Sequence, residues 1–196
     1  MDGFLHNYMI QSLEPALLQE LIAHVATRSS AKPRLILAHG LYRYTGDPRG
    51  ETIDLAAVER IGYRAFVRVG TQTILAVDCV TAAETKSYRI HTGDIAISWL
   101  RQVRLLRQRK QLAGARCELR LLLVQAHHLM FFWLAFPSGD GNADLFLQTR
   151  EAAGASGRQR LLHRSGVESL IQKSVSQYAA MVARRDKLLA EVAGRT

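Results

Sequence analysis

Arg101, Arg104 and Arg107 recur at three-residue spacing, Arg109 and Lys110 continue the series, and no acid falls between residues 95 and 117. Arginines so placed on a helix offer forked, permanently charged donors, so their chemistry is the holding of phosphate or carboxylate oxygens rather than bond making. Binding of that kind weakens as salt rises. The competing reading is the solvated outer face of a core helix. Arg158, Arg160 and Arg164, with His163, could extend the patch if the segment that carries them folds nearby.

Other constellations are weaker. Asp140, Asn142 and Asp144, with Glu151 at the twelfth position, reproduce the oxygen spacing of a calcium loop, but Leu145 stands where the sharp turn calls for glycine, and a plain hairpin turn explains the segment. His127 and His128 are adjacent, so on a strand they point to opposite faces and cannot share an ion. His39 and His91 could meet Asp78 or Glu84 only if the topology cooperates. Gly154 to Gly157 followed by Arg158 reads as a linker rather than a phosphate cradle, because no strand precedes it and no helix follows. Cys79 and Cys117 lie in strand-like apolar segments, where free thiols are small buried hydrophobes; this points to a reduced, cytosolic protein. No nucleophile elbow, Walker loop, dinucleotide fingerprint, HExxH or CxxC is present. We therefore expect no catalytic residue, no metal and no cofactor.

The charge is unevenly distributed. The chain has 196 residues and a formal charge of +9, and residues 94–164 hold 11 basic but only 5 acidic side chains. Such a field attracts nucleic acid, anionic lipid or an acidic protein face. Of the 26 cations 21 are arginine, in a chain also rich in alanine, which a GC-rich coding bias produces without any partner. The N-terminus has no basic stretch before its apolar residues and does not read as a secretory signal.

These groups need a scaffold, and its centre is the run CELRLLLVQAHHLMFFWLAF over residues 117–136. Arg120, Gln125, His127 and His128 keep it short of the roughly 18 uninterrupted apolar residues of a membrane helix, so no membrane span is expected. As one strand it would reach nearly 70 Å, at about 3.4 Å per residue, too long for this chain. It must fold back or bend: two central strands, 116–124 and 129–136, fit if the chain reverses near 125–128, and one long strand kinked at a bulge is the alternative. Around it we expect a helix over 4–27 in two parts, capped by Ser12 with Pro15 at the start of the second. Strands follow over 34–44, 63–69, 73–80 and, at an edge, 86–91, with a short helix over 54–61.

Thr92 to Asp94 should cap a helix over 95–112 closed by Gly114, anchored by Ile97, Trp99, Leu100, Val103 and Leu106. A turn over 137–143 leads to a strand over 144–149. The last helix opens on a Ser165, Gly166, Val167, Glu168 capping box and carries Val167, Ile171, Val175, Tyr178, Val182 and Leu189 roughly in phase.

The fold expected is α+β: a mostly antiparallel twisted sheet of five to seven strands flanked by helices, with a long C-terminal helix. Residues 1–150 form the core, 151–165 a flexible basic connection, and 166–193 the helix packed on or extending from it. An ample core, an overlong amphipathic helix and no catalytic signature point to a non-enzymatic cytosolic interaction or assembly module, binding a protein partner or a second copy of itself. The alternatives are a nucleic-acid-binding protein or ribonucleoprotein subunit using the arginine row, and an enzyme of unknown class with a cleft built from strand ends and loops.

Overall fold

The structure, a computed structural model, describes residues 8–9, 15–47, 54–82, 85–109, 112, 115–125, 128–137, 143–149 and 160–193. In chain order they form β1 (Tyr8–Met9), α1 (Pro15–Ala26), β2 (Pro33–Tyr44), β3 (Val58–Val69), β4 (Thr73–Ala82), β5 (Thr85–His91), α2 (Gly93–Arg107), β6 (Cys117–Val124), β7 (Leu129–Ala135), β8 (Leu145–Gln148) and α3 (Arg164–Ala193). The class is α+β, with the long C-terminal helix expected. Among the described residues no helix is long and apolar enough to cross a membrane.

One sheet runs in the order β5-β4-β3-β2-β6-β7-β8. Neighbours are antiparallel except at β2–β6, where Gly40 to Arg43 pair in parallel with Arg120 to Leu123. That pairing joins two meanders into a single layer. The apolar run divides as its length requires, and His128, in the left-handed region at φ 51°, makes the reversal between β6 and β7.

Both faces of the sheet are covered, which is why its central strands are apolar on both sides. Trp99, Leu100, Val103 and Leu106 of α2 pack on Leu37, Leu41, Phe66, Leu121 and Phe132, across both meanders. On the opposite face, Leu21 and Val25 of α1 cover Ala38, Ala65, Val67 and Val77. Val167 and Ile171 of α3 cover Leu122, Phe131 and Phe146 on the other half of that face. Beyond them α3 leaves the body: Tyr178 is 52% and Met181 59% exposed. At about 1.5 Å per residue its 30 residues measure about 45 Å.

Gly62 shows how tightly the strands approach. It sits at φ 155° beside a register shift between Leu41 and Tyr42, and a Cβ there would lie 1.9 Å from the Cys79 carbonyl oxygen. Only glycine fits.

Several expected boundaries move, each for a non-local reason. Tyr8–Met9 is not helical: β2 pairs with β6 only along its later part, and Tyr8 and Met9 pair with Cys117 and Glu118. The helix begins at Pro15, while Ser12 lies outside the described residues. Residues 54–61 form no helix. Asp54 Oδ1 accepts the Ala56 N–H in a turn, and β3 starts at Val58 because Tyr44 of β2 needs a partner there. Helix α2 stops at Arg107, with the Gln108 N–H on the Arg104 and Leu106 carbonyls, and Leu112 then returns to the core. Thr92 precedes α2 but its side chain makes no cap bond. Helix α3 begins at Arg164, one residue before the expected cap, and Glu168 accepts from Arg164 instead of closing a capping box. Gly114 and residues 151–159 of the basic connection lie outside the described residues.

Candidate anion-binding site

The face of the sheet under α2 carries a rung of polar side chains set by strand register. His39 of β2 stands opposite Arg64 of β3, and Arg64 opposite Asp78 of β4. Arg64 Nε and Nη2 donate to Asp78 Oδ1 and Oδ2 at 2.5 and 2.8 Å, and His91 Nε2 lies 3.2 Å from Oδ2. The indole of Trp99 closes the rung from above, 4.0 Å from the Arg64 guanidinium and edge-on to His91. The topology therefore brings His91 to Asp78, with His39 one strand beyond Arg64.

Electrostatics follow from this enclosure. Burial alone would raise the Asp78 carboxyl; the hydrogen bonds from Arg64 and His91 outweigh it and hold it at about 2. Burial, aided by the Arg64 charge, lowers His39 to about 3, so its imidazole is neutral between the rings of Phe66 and Phe132. Arg64 is 2% exposed, with Trp99 over its guanidinium, so it offers no surface to a substrate. The rung is a buried ion pair that pins α2 to the sheet.

Four residues farther along β3, on the same face, the chemistry changes. Arg68 stands opposite Arg34 of β2 and Ile74 of β4. Like charges directly opposite on neighbouring strands repel. Arg34 and Arg68 line a surface hollow of about 600 Å³ with Lys32, Pro33, Gly70 and Thr71. A second hollow of about 360 Å³ adjoins it, sharing Arg68 and Thr71 and adding Ile74, Ile97, Leu100, Arg101 and Arg104. No acid among the described residues lines either hollow. Among the described residues none of the five cations has an ion-pair partner.

The arginine row is thus only partly one site. Arg101 and Arg104 are exposed and border the hollow, whereas Arg107 is half-buried. Steps of three residues fall short of the 3.6-residue turn, so by the third arginine the row has rotated toward the sheet. Arg109 follows the end of α2 and is half-buried; Lys110 and Arg158 lie outside the described residues, and Arg160 is exposed beyond β8. Arg164 belongs to the opposite face, bonded to Asp54 at 2.6 Å and Glu168 at 3.0 Å. Ile97 is not an anchor of α2: it shares the outward stripe with Arg101, four residues on, and is 41% exposed, while Ala96 and Gln102 are buried instead.

The opposite face has a hollow of about 310 Å³ among Trp133, Phe146, Arg120, Asp144 and Arg164, and its charges are already matched. Arg120 lies over Tyr42 and Trp133 and donates to Glu118 at 2.9 and 2.6 Å. Asp144 accepts from Trp133 Nε1 and the Phe136 N–H. That commits the one described carboxylate of the calcium-like spacing, since Asp140, Asn142 and Glu151 lie outside the described residues. Cys79 and Cys117 are free thiols buried on opposite faces of the sheet, and burial raises both, Cys117 to about 11. Of the expected partner stripe, Val167 and Ile171 are buried, Val175 and Val182 half-buried and Tyr178 exposed; the Leu189 side chain is outside the description.

The fold and site define an α+β protein with a basic shelf at one end of its sheet. No family model matches the chain, and comparison with the curated proteins and with the solved structures found no match.

Proposed function

We propose that the protein is a non-enzymatic interaction module that docks an anionic partner on the shelf formed by Lys32, Arg34, Arg68, Arg101 and Arg104. The observation that supports it is the convergence of five exposed cations from the α1–β2 connection, β2, β3 and α2 on adjoining hollows that no described acid lines. Folding gains nothing from holding Arg34 against Arg68, whereas a bound anion would neutralise both. The thiols, unpaired on opposite faces, fit a reducing compartment, and we place the module in the cytoplasm.

Charge reversal tests the reading. Arg101→Glu with Arg104→Glu should abolish salt-sensitive binding to a panel of polyglutamate, single-stranded and double-stranded nucleic acid while leaving stability within about 0.5 kcal/mol. Binding that persists unchanged would move the site elsewhere.

A second reading is assembly through α3, supported by the exposure of Tyr178 and Met181 on a helix that has left the body. Light scattering should then show an oligomer that Tyr178→Ser with Met181→Ser dissociates. A monomer at every concentration excludes self-assembly.

A further inference from the structure

The two hollows of the shelf differ in chemistry, and the difference narrows the partner. The larger is ringed by the charged heads and apolar stems of Lys32, Arg34 and Arg68 around Pro33, Gly70 and Thr71, with no branched aliphatic side chain among the described residues of its lining. The smaller has an aliphatic part of Ile74, Ile97 and Leu100, rimmed by Arg68, Thr71, Gln72, Arg101 and Arg104. Leu100 is buried beneath it, while Ile97 lies open at its edge.

A phosphodiester backbone has nothing to bury against three aliphatic side chains. A nucleobase would stack on aromatic rings, and among the described residues none lines this hollow. A bilayer meets a surface as a plane and would not fill a concavity. An acidic peptide carrying one large apolar residue satisfies both hollows at once. A cavity of about 150 Å³ already accepts a benzene ring. A hollow of about 360 Å³ therefore has room for a leucine or phenylalanine side chain and the backbone that delivers it.

We propose that the shelf binds an acidic segment of a partner protein, with a large apolar residue seated on Ile74, Ile97 and Leu100 and flanking carboxylates on the arginines and Lys32. This rests on the anion-docking reading above and adds a requirement for the apolar anchor. Arg68 and Thr71, shared by both hollows, stand where anchor and carboxylates meet. The arginine rim sets the sign of the partner's charge, and the aliphatic floor selects among anions.

The test uses the full chain and labelled synthetic 12-residue peptides, glutamate-rich with a single central leucine or with alanine in its place. Anisotropy is read at low and near-physiological salt. The leucine peptide should bind about ten-fold more tightly than the alanine peptide, equivalent to about 1.4 kcal/mol, in line with burial of one aliphatic side chain. Ile97→Gln, at an exposed position, should erase that difference without weakening the alanine peptide, and Arg68→Gln should weaken both. Equal binding of the two peptides overturns the anchor while leaving anion docking intact. A single-stranded oligonucleotide of equal charge binding ten-fold more tightly than the leucine peptide would assign the shelf to nucleic acid and overturn the proposal. Failure of every polyanion to bind, even at low salt, would overturn the docking reading beneath it.

Discussion

Arg64 and Arg68 stand four residues apart on one face of β3 and have opposite roles. β4 sets Asp78 against Arg64 and Ile74 against Arg68; β2 sets His39 against the first and Arg34 against the second. One guanidinium is sealed under Trp99, and the other is exposed between two hollows. The difference comes from the neighbouring strands, since residue type and local sequence are alike. A buried arginine keeps its charge because a carboxylate meets both of its donors, and an exposed one keeps its charge available because nothing does.

The largest break in this comparison is removal of Arg64. Arg64→Met leaves the Asp78 carboxylate buried with only His91, and a broken buried pair destabilises by about 3–5 kcal/mol. Urea unfolding measures it, and the double variant Arg64→Met with Asp78→Leu should recover most of the loss, because no charge is then left buried.

The pH dependence sharpens it next. His39 has a folded value near 3 against an ordinary 6.5, so below 6.5 the unfolded chain binds the proton and the native state does not. Stability is complete above 6.5 and falls at about 1.4 kcal/mol per pH unit as pH drops toward 3. Asp78, held at about 2 against 3.8, adds stability that is present above 3.8 and disappears as pH falls to 2. His39→Leu should remove the upper limb and leave the lower one. A native state equally stable at about pH 7 and about pH 5 would mean that His39 is protonated in place.

The smallest expected effect lies at the other arginine. Arg68→Gln should change stability by less than about 0.5 kcal/mol, with the sign toward gain because Arg34 loses a repulsive neighbour. A large loss would show Arg68 to be as structural as Arg64.

Legibility in the sequence follows the range of the cause. That residues 117–136 cannot run as one straight strand was readable from strand length alone, whereas the choice between a kinked strand and the reversal into β6 and β7 needed the pairing itself. Arg101 and Arg104 were readable because a stretch without acids marks them locally. Lys32, Arg34 and Arg68 were not, since their convergence depends on the β2–β3 register and the seat of α2. The phase of α2 failed at Ile97 for a related reason: its spacing to Trp99 and Leu100 suggested one stripe, while its four-residue relation to Arg101 decided its direction. Asp78 could be named as a neighbour for the histidines, but Arg64, its principal partner, required the sheet.

The parallel pairing of Gly40–Arg43 with Arg120–Leu123 bears on how the chain reaches this state. Every other neighbour in the path β5 to β8 is joined by a nearby reversal, so each meander can zip up from its own turns. The pairing of β2 with β6 must instead close a span of about 80 residues. Until it closes, β2 and β6 each present an open edge to whatever strand arrives first. At high concentration that strand can come from another molecule, so the seam that makes one sheet of two meanders is also where two refolding chains would exchange halves.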